Sequence, residues 1–194
     1  MGETQSLGRS KGQVWLVVAI VLLAVAADQA LKLYIATHFR VGEGVPLTSW
    51  FWLCYVENNG MAFGIEWFSK LALTLFRLVA VGLLGWYTHQ LIHRYHASTG
   101  FIATIACIIA GALGNIIDCV CYGKLFGYAG WLYGRVIDMF YFPLIRNSAG
   151  EVLFFRPVFN LADSCITVAV FVILLFYLKE LNTTLGSEKK EGKN

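Results

Sequence analysis

Charge is scarce in this chain: 14% of its 194 residues are Asp, Glu, Lys or Arg, against 58% hydrophobic, and mean hydropathy is +0.64. Soluble domains carry about 25% charged residues, so an ordinary water-soluble fold is excluded. Only three prolines occur, so long apolar segments run on without helix breakers. None of the five cysteines forms a Cys-x-x-Cys pair, which weakens a thiol-redox reading. No basic patch with interleaved aromatics appears, and a net charge of +3 says little about partners, so nothing points to nucleic acid.

Apolar runs are what the chain does have. Residues 14–35, 71–91, 101–117 and 161–178 approach the roughly 20 residues that cross a hydrocarbon core. The expected fold class is therefore an all-α membrane protein with four transmembrane helices, one polytopic domain over residues 1–194. Arg9 and Lys11 before the first run raise the possibility of a cleaved signal peptide. The run is longer than a signal core and ends in Asp28 and Lys32, so a retained helix is expected. Met1-Gly2 with Ser6 is read as a chance myristoylation match. The tail bearing Lys189, Lys190 and Lys193 is read as solvated.

Four spans place both termini on one side, and the two long connections, 36–69 and 118–160, on the other. A bare count of Lys and Arg is a tie between the sides. The short connection His93-Arg94-Tyr95-His96 decides it, because short loops obey the positive-inside rule and long ones translocate regardless. Cytoplasmic termini follow. In the first long connection, Ser49 to Val56 reads as a strand or two leading into a turn at Asn58, Asn59 and Gly60. The second, rich in glycine and aromatics, is expected to lie on the membrane surface.

Two acids stand in apolar surroundings, Asp163 at the start of the last run and Asp138 in Val136-Ile137-Asp138-Met139-Phe140. A carboxylate at a helix centre costs roughly 2.5–3.5 kcal/mol to insert, so a functional role is the default. One acid and one base are the minimal equipment of an aspartyl hydrolase. Other polar residues gather at the same outer level: Asp28 with Lys32 (i,i+4), Asn115 with Asp118 and Asn160 with Asp163 (i,i+3). Gly111, Ala112 and Gly114 let helices approach closely.

Plainer roles exist for each. Asp28–Lys32 reads most simply as a helix-end ion pair with a snorkelling lysine. Asn160 suits an N-cap after Pro157. Asp118 fits a solvated helix end, and Asp138 an exposed surface. Rival chemistries are a thiol oxidoreductase using Cys119, Cys121 and Cys54, a metal site at His89, His93 and His96, and an ion-coupled transporter. The transporter is disfavoured because the embedded acids collect at one face and form no path across. Cys107 and Cys165 are read as small apolar packers.

Five blocks occur in order: Asp28-Gln29-x-x-Lys32, Asn58-x-Gly60-x-Ala62-Phe63-Gly64, Gly111-Ala112-Leu113-Gly114-Asn115-x-x-Asp118, Val136 to Phe140, and Phe159-Asn160-x-Ala162-Asp163-Ser164. Together they resemble the lipoprotein signal peptidase family, signal peptidase II. The resemblance implies a bacterial inner-membrane aspartic endopeptidase with a small periplasmic β-cradle and an active site facing the periplasm. It implies cleavage of prolipoproteins just before a diacylglyceryl-modified cysteine, at a membrane surface, and inhibition by globomycin. Its catalytic pair falls on Asp138 and Asp163, and its supporting positions on Asp28, Lys32, Asn58, Asn115, Asp118 and Asn160, with Gly60 in the substrate wall. No metal or organic cofactor is implied, and a monomer is expected. Cys119 stands where the family usually has arginine, with Arg135 as the expected substitute, and Met61 where a small residue is common. The stretches 119–134 and 142–159 are longer than usual.

Overall fold

The computed structural model describes residues 2–59, 70–146, 152–154 and 157–191. Four helices in it are long and apolar enough to cross a membrane. Helix α1 (Gly2–His38) has no proline to stop it and outruns the expected 14–35 at both ends. At its inner end Gln13 donates to the Ala97 carbonyl at 3.2 Å and to Thr99 Oγ1 at 3.1 Å. Helix α2 (Lys70–His93) and helix α3 (Thr99–Ile117) follow. The last span comprises α4 (Leu161–Val172), a π-helical turn (Ile173–Tyr177) and α5 (Leu178–Glu191).

α3 is the hub. In its apolar window 61% of the residues are buried within the protein, against 6%, 11% and 17% for the other three spans. Small residues make this possible. A Cβ on Gly111 would run into the Ala162 carbonyl, and one on Gly114 would sit 2.6 Å from Asp28 Oδ2, so α4 and α1 close onto α3 at backbone distance. Ser98 caps α3 by accepting from the Phe101 N–H, and Glu180 of α5 accepts from both the Ser98 N–H (2.6 Å) and its hydroxyl (2.8 Å).

At its outer end α3 widens into a π-helical turn (Asp118–Tyr122) before a last turn at Gly123–Leu125. The extra residue rotates Asp118, Cys119 and Tyr122 inward, and all three are buried. π-bulges of this kind often mark functional positions.

A four-stranded antiparallel sheet sits at this end, in the order β1-β2-β3-β6, from β1 (Gly44–Pro46), β2 (Trp52–Asn58), β3 (Val136–Tyr141) and β6 (Val158–Phe159). The separate pair β4 (Ile145–Arg146) and β5 (Val152–Phe154) forms a small ribbon. This is the β-cradle expected from the resemblance. Strand alternation turns Ile137 and Met139 onto Ile35, Tyr55 and Tyr122, and turns Asp138 to the opposite face. Asn58 ends the strand β2, where it pairs with Val136, and the turn expected at Asn58, Asn59 and Gly60 runs into residues outside those described.

Candidate active site

Asp138 is 2% exposed, in the middle of β3. Val56 lies opposite it and Asn58 lies diagonally across, close enough for Asn58 Nδ2 to donate to Asp138 Oδ2 at 3.0 Å. The other oxygen, Oδ1, accepts from Asn160 Nδ2 at 2.7 Å. β6 delivers Asn160 directly, since Phe159 pairs with Phe140 and the next residue caps α4. Asn160 Oδ1 accepts from the Asp163 N–H at 2.8 Å, so one side chain both starts the helix and touches the two acidic residues.

Asp163 stands in the first turn of α4, half-buried, and its Oδ1 accepts from Asn115 Nδ2 at 2.7 Å. Asn115 Oδ1 in turn accepts from Asn160 Nδ2 at 3.1 Å and from Lys32 Nζ at 3.0 Å. The two carboxylates are thus held in one frame of amides drawn from β2, α3 and the α4 cap.

Behind that frame lies a charged brace. Lys32 Nζ is 2.8 Å from Asp28 Oδ2 and 2.8 Å from Asp118 Oδ2, and its side chain is wholly buried. Asp28 Oδ1 accepts from the Ala162 N–H at 2.9 Å, and Asp118 accepts from Gln29 Nε2 (2.9 Å) and the Ile137 N–H (3.2 Å). A buried lysine between two carboxylates leaves the brace with one net negative charge, tolerable only because each oxygen finds a donor.

Burial raises the Asp138 carboxyl from 3.8 to about 7, and the Asp163 charge adds to the rise. The Asn58 and Asn160 amides and Lys32 pull in the other direction.

Asp28, Lys32, Asn58, Asn115, Asp118, Asp138, Asn160 and Asp163 all converge here. Gly60, with Met61, Ala62, Phe63 and Gly64, lies outside the described residues. Two participants escape the sequence reading. Gln29 donates to Asp118 and to the Gly114 carbonyl, and accepts from the Tyr122 hydroxyl at 2.9 Å. Its signal was its place inside Asp28-Gln29-x-x-Lys32; Tyr122 gave none.

Of the plainer roles, the Asp28–Lys32 ion pair and the Asn160 cap are present, and the others fall away. Lys32 does not snorkel, because its partners lie inward. Asp118 is fully buried, not solvated, and Asp138 is not on an exposed surface. Asn160 does cap α4, and works in the frame as well. Arg135 does not substitute at the Cys119 position: it pairs with Glu57 at 2.5 Å and lies over the Tyr128 ring. Arg77 of α2 does approach, with Nη1 donating to Cys119 Sγ at 3.0 Å. Cys54 and Cys119 are buried free thiols. His89 and His93 are exposed, their ring centroids 4.5 Å apart, and among the described residues no group of three or more His, Cys, Asp or Glu is placed to hold a metal.

On the Asp138 face of the sheet an aromatic patch continues outward. Phe140 meets Phe159, Phe159 stacks on Phe142, and Phe142 stacks on Trp50 and Phe51. Trp50 is 53% exposed.

Residues 20–179 match the family described as Signal peptidase (SPase) II. The chain belongs to the signal peptidase II family. Curated relatives in it are the lipoprotein signal peptidases of Porphyromonas gingivalis (38% identical, covering 89% of this chain and 87% of the relative) and of Streptococcus pneumoniae (34% identical, 85% and 94%). A solved bacterial membrane enzyme superposes with a TM-score of 0.63 at 26% identity, covering 86% of this chain and 90% of the other. Membership of the signal peptidase II family makes the chain a protease, and its four apolar helices make it a multi-pass membrane one. The thiol-redox and transporter readings are thereby set aside.

Proposed function

We propose that this protein is an aspartic endopeptidase that removes signal peptides from prolipoproteins, cutting on the N-terminal side of the diacylglyceryl-modified cysteine, with Asp138 and Asp163 as the catalytic pair. The observation that supports it most is the shared frame: Asn160 donates to one acid and accepts from the backbone of the other. The frame is braced from α1 and α3 and lies at one end of the bundle.

Two close carboxylates do not both ionise cheaply, and the pair titrates as a unit. Because burial raises Asp138 to about 7, we assign the shared proton to it and the part of base to Asp163. Asp163 takes a proton from a water molecule as that water attacks the scissile carbonyl. Asp138 gives its proton to the carbonyl oxygen. Collapse of the tetrahedral intermediate then breaks the C–N bond: the amine leaves with the proton gathered by Asp163, and one hydroxyl of the intermediate returns its proton to Asp138 as the carbonyl re-forms. Asn58, Asn115 and Asn160 fix both acids, and Asp28, Lys32 and Asp118 hold the asparagines; no cofactor enters the scheme.

In this reading the chain works as one polytopic unit in the bacterial inner membrane, with cytoplasmic termini and the site facing the periplasm. A lipid-bearing cysteine is anchored at that surface by its acyl chains and reaches the helix ends by lateral diffusion. The exposed Trp50 and its aromatic neighbours form one wall for it. Globomycin is the expected inhibitor, membrane lipid the surrounding solvent, and a monomer the working state. The test uses purified protein in detergent. A diacylglyceryl prolipoprotein is expected to be processed and its unlipidated form left intact; equal processing of both would remove the lipid gate.

The Asn58 amide gives a pH prediction. Its hydrogen bond favours ionised Asp138, so Asn58→Ala raises that carboxyl further. Activity needs the singly protonated pair, which is lost as pH rises through the Asp138 value. The alkaline limb of kcat/KM should therefore start near pH 7 in the wild type and move to higher pH in Asn58→Ala. A limb that moves to lower pH would contradict the proton assignment.

A further inference from the structure

Arg77 has no part in the scheme above, yet it stands inside the apolar span of α2, seven residues or about 10 Å past Lys70 where the helix begins. An ionised side chain within such a span is a functional position by default. Its hydrogen bond from Nη1 to Cys119 Sγ, at 3.0 Å, uses a thiol, which is a weak acceptor. Among the described residues no carboxylate forms an ion pair with it. Among the described residues that thiol is its one hydrogen-bond acceptor, out of a capacity of five N–H donors.

The contact places this guanidinium against Cys119, next in sequence to the brace carboxylate Asp118. Lys32, which pairs with Asp118, also donates to Asn115. Asn115 is the residue that holds Asp163. Thr74, one turn before Arg77, anchors the same face of α2 to the site's surroundings through the Leu132 carbonyl at 3.3 Å.

Taking the peptidase reading as given, we propose that Arg77 is a further substrate-binding residue, whose guanidinium donates to a carbonyl oxygen of the lipopeptide next to the scissile bond. Such an oxygen is offered both by the acyl esters of the diacylglyceryl group and by the peptide backbone. A planar fork of donors suits a fixed carbonyl better than a lysine ammonium does.

The experiment measures Kd for a diacylglyceryl lipopeptide and its dialkyl-ether analogue on protein carrying Asp163→Asn, with and without Arg77→Leu. Binding is thus read without turnover, so failure of the peptidase reading shows separately, as absence of cleavage by the wild type. Arg77→Leu is expected to weaken diester binding about ten- to hundredfold, the range for a hydrogen bond from a charged donor. If the ether binds equally weakly to both proteins, the oxygen is the lipid ester's. If Arg77→Leu weakens both ligands alike, it is the peptide's. Arg77→Lys, which keeps the charge and guards against a folding defect in the leucine variant, is expected to lose several-fold. In the active background the same variants should raise KM with kcat little changed. Diester Kd within twofold of the parent in both variants, or a fall in kcat with KM unchanged, overturns the proposal.

Discussion

Asp138→Asn and Asp163→Asn should each lower kcat for lipopeptide cleavage by at least about 10³-fold, toward the upper end of what a positioned acid or base supplies. The two variants should nevertheless differ in stability. The Asp138 carboxyl is raised in the folded protein, so ionising it opposes folding. The sign is then fixed: the penalty is absent below the unfolded value near 4, grows as pH rises to about 7, and is complete above that. Asp138→Asn removes it. Thermal unfolding in detergent should show Asp138→Asn more stable than wild type at pH 8, by on the order of a few kcal/mol, with the gap closing near pH 4. A dead enzyme that is harder to unfold is the mark of a group placed for chemistry at the expense of stability. An Asp138→Asn protein less stable than wild type at pH 8 would show that this carboxylate is structural.

Lys32→Met is expected to be the most damaging change outside the pair. Methionine matches the length of the side chain but leaves Asp28 and Asp118 as adjacent buried carboxylates without their cation. Breaking a buried pair in this way costs about 3–5 kcal/mol, enough to threaten the whole fold. Activity should vanish in step, because Lys32 also fixes the asparagine that holds Asp163. Adding Asp118→Asn to Lys32→Met removes one orphaned charge and should recover part of the stability. Chemical denaturation of the single and double variants measures this. A single variant as stable as wild type would mean that the brace is solvated in the membrane-bound protein.

Much of the site was legible because helices repeat. Asp28 and Lys32 at i,i+4, and Asn160 and Asp163 at i,i+3, declare a shared face without any knowledge of the fold. Asn160 as a cap follows from residue type and position alone. Asp138 was harder. Its neighbours are apolar on both sides, so alternation did not show which face is covered, and only the pairing of β3 between β2 and β6 explains its burial. Strands of two or three residues such as β1 and β6 have no period to read. Asn-Asn-Gly is a strong turn signal, and it does not show that the ladder with β3 extends as far as Asn58. The π-helical turn at Asp118–Tyr122 is also invisible in sequence, and with it the inward rotation of Tyr122 and Cys119. Arg135 is near Cys119 in sequence but pairs with Glu57, whereas Arg77 reaches Cys119 from a different helix, 42 residues away.

Asp28 in the first span receives the N–H of Ala162 at the start of the last, a bond that joins residues 134 positions apart. The same late segment supplies Asn160 and Asp163. A ribosome that has released the first three spans has therefore produced a chain with no assembled hydrolase, only unsatisfied polar groups waiting for a partner. Synthesis of the last span is what closes the site, so a nascent chain, or one cut before Asn160, lacks the frame that the site needs.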